Sequence, residues 1–252
     1  MAYNNLTLFP TLRCNLRCPH CTTKGTVSAN AKDWTHTYFS SVVKRLASLN
    51  LHFRTINFGG GEPTIWPYLR QGIIEVKESG LCDNVQILTN GTTTDPDVYA
   101  NADVVRVTDY GGSNRWYFRK LRKHLGKRLH VCPSIHVPLP APYTEEVSCN
   151  FLHPGIIGRK IYKCCTQAKD DIDGYDLFED GALDYLNGPL PNTNERCHTC
   201  MGNRCAYEKI APPLTFQCQV WGVEELSKMI QFPFNARKLR TIYQKLRSRR
   251  GR

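Results

Sequence analysis

No run of about 18 or more apolar residues occurs along the 252-residue chain, so a membrane-spanning helix of ordinary length is excluded. The opening MAYNNLTLFPTLRC also lacks a basic region followed by a long apolar one, the pattern of a secretory signal. A cytoplasmic location is expected, or the host cytoplasm if the chain is virally encoded. Disorder is excluded as the main state, since 41% hydrophobic and 22% charged residues suffice for a sizeable buried core. There is no internal repeat.

Acidic residues are missing from two stretches. Arg115 to Arg128 holds seven Lys/Arg and no acid, and Arg237 to Arg252 holds eight more and no acid. Outside them 18 basic residues stand against 22 acidic, so the formal charge of +11 is confined to two segments. Such confinement points to an anionic partner, while a solvated helix face and tail is the plainer alternative.

Cysteine is the residue in excess. Twelve are too few for a small disulfide scaffold and too many for packing alone, and without a secretory signal they suggest metal or redox chemistry. Cys14, Cys18 and Cys21 form one cluster; Cys149, Cys164, Cys165, Cys197, Cys200, Cys205 and Cys218 form another; Cys82 and Cys132 stand between as core residues.

To about residue 140, short apolar runs alternate with helical periods. LTLF (residues 6–9), TINF (55–58), VQIL (85–88), VVRV (104–107) and LHVC (129–132) read as five strands. Four helices lie between: one with Trp34, Tyr38, Val42, Leu46 and Leu49 on a face, one with Leu69, Ile73 and Val76, a short one opened by Asp95-Pro96, and one burying Phe118, Leu121 and Leu125. The alternation predicts an α/β fold, a partial parallel (β/α) barrel of about five strands. Proline-rich residues 133–143 mark its end, giving units at 1–140, 141–232 (a small cysteine-rich domain) and 233–252 (a basic helix or tail).

CNLRCPHC places Cys14, Cys18 and Cys21 in a C-x3-C-x2-C loop directly after the first strand. Three thiolates leave one iron of a 4Fe-4S cluster open; for the octapeptide alone, zinc completed by His20 is the alternative. Gly60, Gly61, Glu62 and Pro63 end the second strand, and Leu88-Thr89-Asn90-Gly91 ends the third. Together these motifs resemble the radical S-adenosylmethionine (SAM) superfamily. The resemblance implies that Cys14, Cys18 and Cys21 hold the SAM-binding 4Fe-4S cluster, and that Gly60, Gly61, Glu62, Pro63 and Asn90 line S-adenosyl-L-methionine. It further implies reductive cleavage of SAM to a 5′-deoxyadenosyl radical, hydrogen abstraction from a substrate C–H bond, and a reductant such as flavodoxin or ferredoxin. Asp109 and Tyr110, after the fourth strand, are substrate-pocket candidates. No general acid or base is assigned.

Cys149, Cys164 and the pair Cys197-x2-Cys200 resemble the superfamily's twitch domain, which implies a second, auxiliary 4Fe-4S cluster on these four residues. Cys165 could replace Cys164, since neighbours on a strand face opposite ways, and a structural zinc site is the alternative. In size and architecture the chain is similar to the 2-deoxy-scyllo-inosamine dehydrogenases. The expected function is therefore radical oxidation or isomerisation of an anionic substrate, such as a modified base or nucleotide in DNA or RNA contacted by residues 115–128 and 237–252. A small polyol, aminocyclitol, sugar or peptide substrate is the second expectation. A zinc-binding nucleic-acid adaptor is the non-enzymatic one.

Overall fold

The computed structural model describes residues 2–16, 32–93, 95–109, 115–133, 153–164, 168, 171 and 173–189. Each predicted strand of the first unit forms, longer than its apolar run: β1 (Ala2–Thr11), β2 (His52–Gly60), β3 (Cys82–Thr89), β4 (Val104–Asp109) and β5 (Leu129–Pro133). Between them lie α1 (His36–Ser48), α2 (Leu69–Glu78), a 3-10 turn (Pro96–Tyr99) and α3 (Arg115–Leu125). All neighbouring pairs among β1 to β5 are parallel. The result is an open α/β sheet, a partial barrel whose strands all end on the same side.

Two of these helical segments begin at a side-chain cap. Thr35 caps α1 by accepting from the Tyr38 N–H, and Asp95 caps the 3-10 turn by accepting from the Asp97 N–H. The buried face of α1 is Phe39, Val42, Val43 and Leu46. Trp34, placed on that helix by its spacing, lies before it, and its carbonyl accepts the Trp66 indole N–H at 2.8 Å. The segment at Asp95-Pro96 is a single 3-10 turn rather than an α-helix.

Alternation along each strand divides the sheet into two faces. Ile56 and Phe58, Val85 and Ile87, and Val105 and Val107 are buried in the core with the apolar sides of α1, α2 and α3. Phe58 stacks on Phe39 of α1 at 5.8 Å between centroids, fixing which face the helices cover. The other face is treated below.

Residues 155–176 add three short strands to the same sheet: β6 (Gly155–Ile157), β7 (Lys160–Tyr162) and β8 (Tyr175–Asp176), giving the order β5-β4-β3-β2-β1-β6-β7-β8. β6 runs parallel to β1, with Thr7 opposite Gly155, and β6–β7 is an antiparallel hairpin. The described part of the second cysteine unit therefore extends the sheet beside β1. A further helix, α4 (Ala182–Asn187), meets the amino end of β1, where the Tyr3 hydroxyl donates to Asn187 Oδ1 at 2.8 Å. No helix among the described residues is long and apolar enough to cross a membrane.

Candidate active site

The carboxyl ends of β1, β2 and β3 converge, and each brings one of the sequence motifs. β1 leads through Leu12 and Arg13 to Cys14. The Gly61 N–H donates to the Thr11 carbonyl at 3.0 Å and the Glu62 N–H to the Arg13 carbonyl at 2.8 Å, so the end of β2 carries the incoming cysteine loop on its backbone. Two glycines make this approach feasible. Gly60 has φ +125°, and a Cβ there would lie 2.1 Å from the Thr11 carbonyl oxygen; at Gly61 it would lie 1.9 Å from that of Arg13. The Cβ direction at both glycines is filled by the chain's own strand extension.

Glu62 is 1% exposed. Its Oε1 accepts from the Thr64 N–H (3.1 Å), the Thr64 hydroxyl (2.7 Å) and the Thr89 hydroxyl (2.6 Å), and Oε2 accepts from the Asn90 N–H (2.7 Å). Burial raises its pKa, and the hydrogen bonds from Asn90, Thr89 and Thr64 oppose the rise. The carboxylate thus ties the end of β2 to the end of β3. Pro63, also buried, opens a one-turn 3-10 helix that this carboxylate caps.

Asn90 completes the junction. Its Nδ2 donates to Asn15 Oδ1 at 2.8 Å and lies 3.8 Å from Cys14 Sγ, while its Oδ1 accepts from the Thr92 N–H and hydroxyl at 2.9 and 2.6 Å. The Leu16 N–H also donates to Cys14 Sγ, at 3.4 Å. Two N–H donors on one sulfur suit a thiolate, the form that ligates iron, so Cys14 fits a cluster ligand.

The base of the cysteine loop is closed by residues that sequence reasoning missed. Arg13 Nε donates to Asp33 Oδ1 at 3.0 Å, Arg13 Nη2 contacts Asp33 Oδ2, and the Thr11 hydroxyl donates to Asp33 Oδ1 at 2.6 Å. The Trp34 N–H reaches the Pro10 carbonyl at 2.8 Å. The two flanks of the loop are thereby joined before and after the cysteines.

The other expected site residues are placed less fully. Asp109 closes β4 opposite Pro133, with its side chain outside the described residues, where Tyr110 also lies. Cys18, Cys21, Cys149, Cys165, Cys197 and Cys200 lie outside them as well, as does the segment 237–252. Among the described residues no three His, Cys, Asp or Glu gather as a metal site. Cys164 follows β7 and bridges to His153. On α3 and the turn after it, Arg119, Lys120, Arg122, Lys123 and Lys127 are exposed, whereas Arg128 donates through Nη1 to the Ala100 and Ala102 carbonyls at 2.6 and 2.9 Å. One of the seven cations is therefore spent on the fold.

Residues 8–111, which contain the converging strand ends, match the model of the Radical SAM superfamily. No curated protein matches the chain in sequence. Among solved structures, BtrN in complex with AdoMet and 2-DOIA is similar with a TM-score of 0.58 at 15% identity, over 78% of this chain and 85% of that one. BtrN in an open conformation gives 0.51 at 13%, over 86% and 92%. At these identities the likeness is one of fold.

Proposed function

We propose that the chain is a radical SAM enzyme that oxidises a polar substrate held beneath the ends of β1, β2 and β3, a reading supported by the match of residues 8–111 to the model of the Radical SAM superfamily. The observation that carries this reading is the direct linkage of Cys14, Glu62 and Asn90, three motifs distant in sequence, at one end of the sheet.

Cys14, Cys18 and Cys21 would hold the first 4Fe-4S cluster, and Cys149, Cys164, Cys197 and Cys200 an auxiliary one. When bound, the first supplies the electron that cleaves SAM to methionine and a 5′-deoxyadenosyl radical, and the second an acceptor for the electron lost on oxidation. The protein's own part is positional. Asn90 and the Leu16 N–H hold the Cys14 sulfur, Glu62 locks the ends of β2 and β3 together, and Arg13 with Asp33 closes the loop.

The place of Cys164 supports oxidation over isomerisation, which needs no electron sink. His153, its bridge partner, precedes the residue opposite Thr7 by two, so Cys164 lies toward the amino end of β1. At ~3.3 Å per residue, that is on the order of 20 Å along β1 from Thr11, leaving the interior of the sheet between the two cysteine sites. The exposed cations of α3 support a second reading in which the reacting group is attached to a nucleic acid.

The test is anaerobic reconstitution followed by iron and sulfide analysis and detection of 5′-deoxyadenosine. About eight irons per chain and SAM cleavage are expected; zinc in place of iron, with no cleavage, would indicate the adaptor instead. Loss of two hydrogens from a substrate marks oxidation, and an unchanged mass marks isomerisation. Oligonucleotide retention that does not weaken with salt would remove the nucleic-acid reading.

A further inference from the structure

The face of the sheet turned away from the helices is polar where the helix face is aliphatic. Between the buried Ile56 and Phe58 lies Asn57, between Val85 and Ile87 lies Gln86, and between Val105 and Val107 lies Arg106. Strand register sets Thr7 opposite Asn57 and Asn57 opposite Gln86, while Arg106 stands opposite Leu88, on the same face as Gln86. The side chains of Thr7, Asn57 and Gln86 form a row across the strands, with Arg106 on the same face two residues nearer the strand ends. Gln86 Nε2 donates to Asn57 Oδ1 at 2.8 Å, Asn57 Nδ2 to Thr7 Oγ1 at 3.5 Å, and Thr7 Oγ1 meets His153 Nε2 at 3.0 Å.

Burial grades along the row. Thr7 and Asn57 are buried, while Gln86 and Arg106 are half-buried. A polar layer across neighbouring strands is costlier than the aliphatic packing on the other face, and its members are held in orientation by one another. Asn57 and Gln86 lie three residues before Gly60 and Thr89, so ~10 Å below the strand ends that carry Glu62 and Asn90, while Arg106, level with Leu88, lies one residue below Thr89. A small molecule between the two levels would have its reacting end at the site and its polar end on the row.

Resting on the radical SAM reading, we propose that this row determines substrate class: Arg106 binds an oxyanion, phosphate or carboxylate, on a small polyhydroxylated substrate moiety, and Gln86, braced by Asn57, Thr7 and His153, binds its hydroxyl groups. The guanidinium fork matches both oxyanions, and a primary amide offers a hydroxyl both donor and acceptor.

Isothermal titration of the reconstituted full-length protein with glucose, glucose 6-phosphate and glucuronate tests this. At least one charged sugar should bind about tenfold or more tighter than glucose, as a hydrogen-bonded charge contributes at that scale. Whichever charged sugar is tighter tells phosphate from carboxylate. In Arg106→Gln that advantage should vanish with glucose affinity kept; Arg106→Lys, which keeps the charge without the fork, should retain part of it and serves if the Gln variant melts early. Equal binding of charged and uncharged sugars by the wild-type protein, no binding of any of them, or an advantage that survives Arg106→Gln would overturn the proposal. SAM cleavage by the wild-type protein without sugar tests the radical reading separately.

Discussion

The side-chain amide of Asn90 lies 3.8 Å from the sulfur of Cys14, across 76 residues of sequence, and its other contacts anchor it to Asn15 and Thr92. A donor on a ligating sulfur both orients the ligand and tunes a cluster held there. In Asn90→Ala the end of β3 loses its hold on the cysteine loop. SAM cleavage should fall about 10- to 100-fold, the usual cost of losing such a partner, with the overall fold kept. Deoxyadenosine formation and far-UV circular dichroism check this; unchanged cleavage would remove Asn90 from the site.

Gly61 meets the Arg13 carbonyl so closely that Gly61→Ala must displace the strand extension carrying Cys14. A loss of about 3 kcal/mol or more is expected, as for severe overpacking, together with reduced iron uptake. Gly80→Ala is the control. Gly80 has φ +68° but nothing within 4 Å of its missing Cβ, so only left-handed strain of about 1–2 kcal/mol should appear, with normal iron content. Equal effects would mean that the backbone contact at Gly61 relaxes without consequence.

The strands were legible because TINF, VQIL and VVRV are apolar runs bounded by turn residues, and the cysteine loop because its spacing is fixed by chemistry. One central polar residue in each run, Asn57, Gln86 and Arg106, marks the second face of the sheet, but alternation in so short a run is readable only once register aligns three strands. Arg13 and Asp33 carry no periodic signal, since their pairing depends on how a loop closes. A strand at Cys164 was legible, whereas the place of its hairpin beside β1 was not, because nothing local specifies a pairing across some 150 residues.

Cys82, read from sequence as a core residue, opens β3. Burial pushes its thiol up to about 11; Asp103 and Asp83 add to the rise, while the backbone at Ile56 and Lys77 oppose it. Thiolate is the reactive form, and at pH 8 only about one molecule in a thousand would carry it. Iodoacetamide should therefore label Cys82 at least ~100-fold more slowly in the native protein than in urea, read by peptide mass spectrometry. Comparable rates would show that this end of β3 opens readily.

Glu62 gives the pH dependence. Its raised pKa means that the folded chain holds this proton more tightly than the unfolded chain, whose glutamate titrates near ~4.3. Below that value both states are protonated and the site's stability is fully present; as pH rises through the folded pKa, the buried carboxylate ionises and stability is lost. Glu62→Gln does not titrate. It keeps an acceptor for Thr64 and Thr89 but turns an amide donor toward the Asn90 N–H, so about 1–3 kcal/mol should be lost at acid pH. The gap to wild type should then narrow as pH rises toward neutrality, because only the wild-type protein bears the growing cost of a buried charge. Urea unfolding of both proteins at a series of pH values from about 4.5 to 8 measures the gap. A gap that widens with pH would mean that the four donors around Glu62 outweigh its burial.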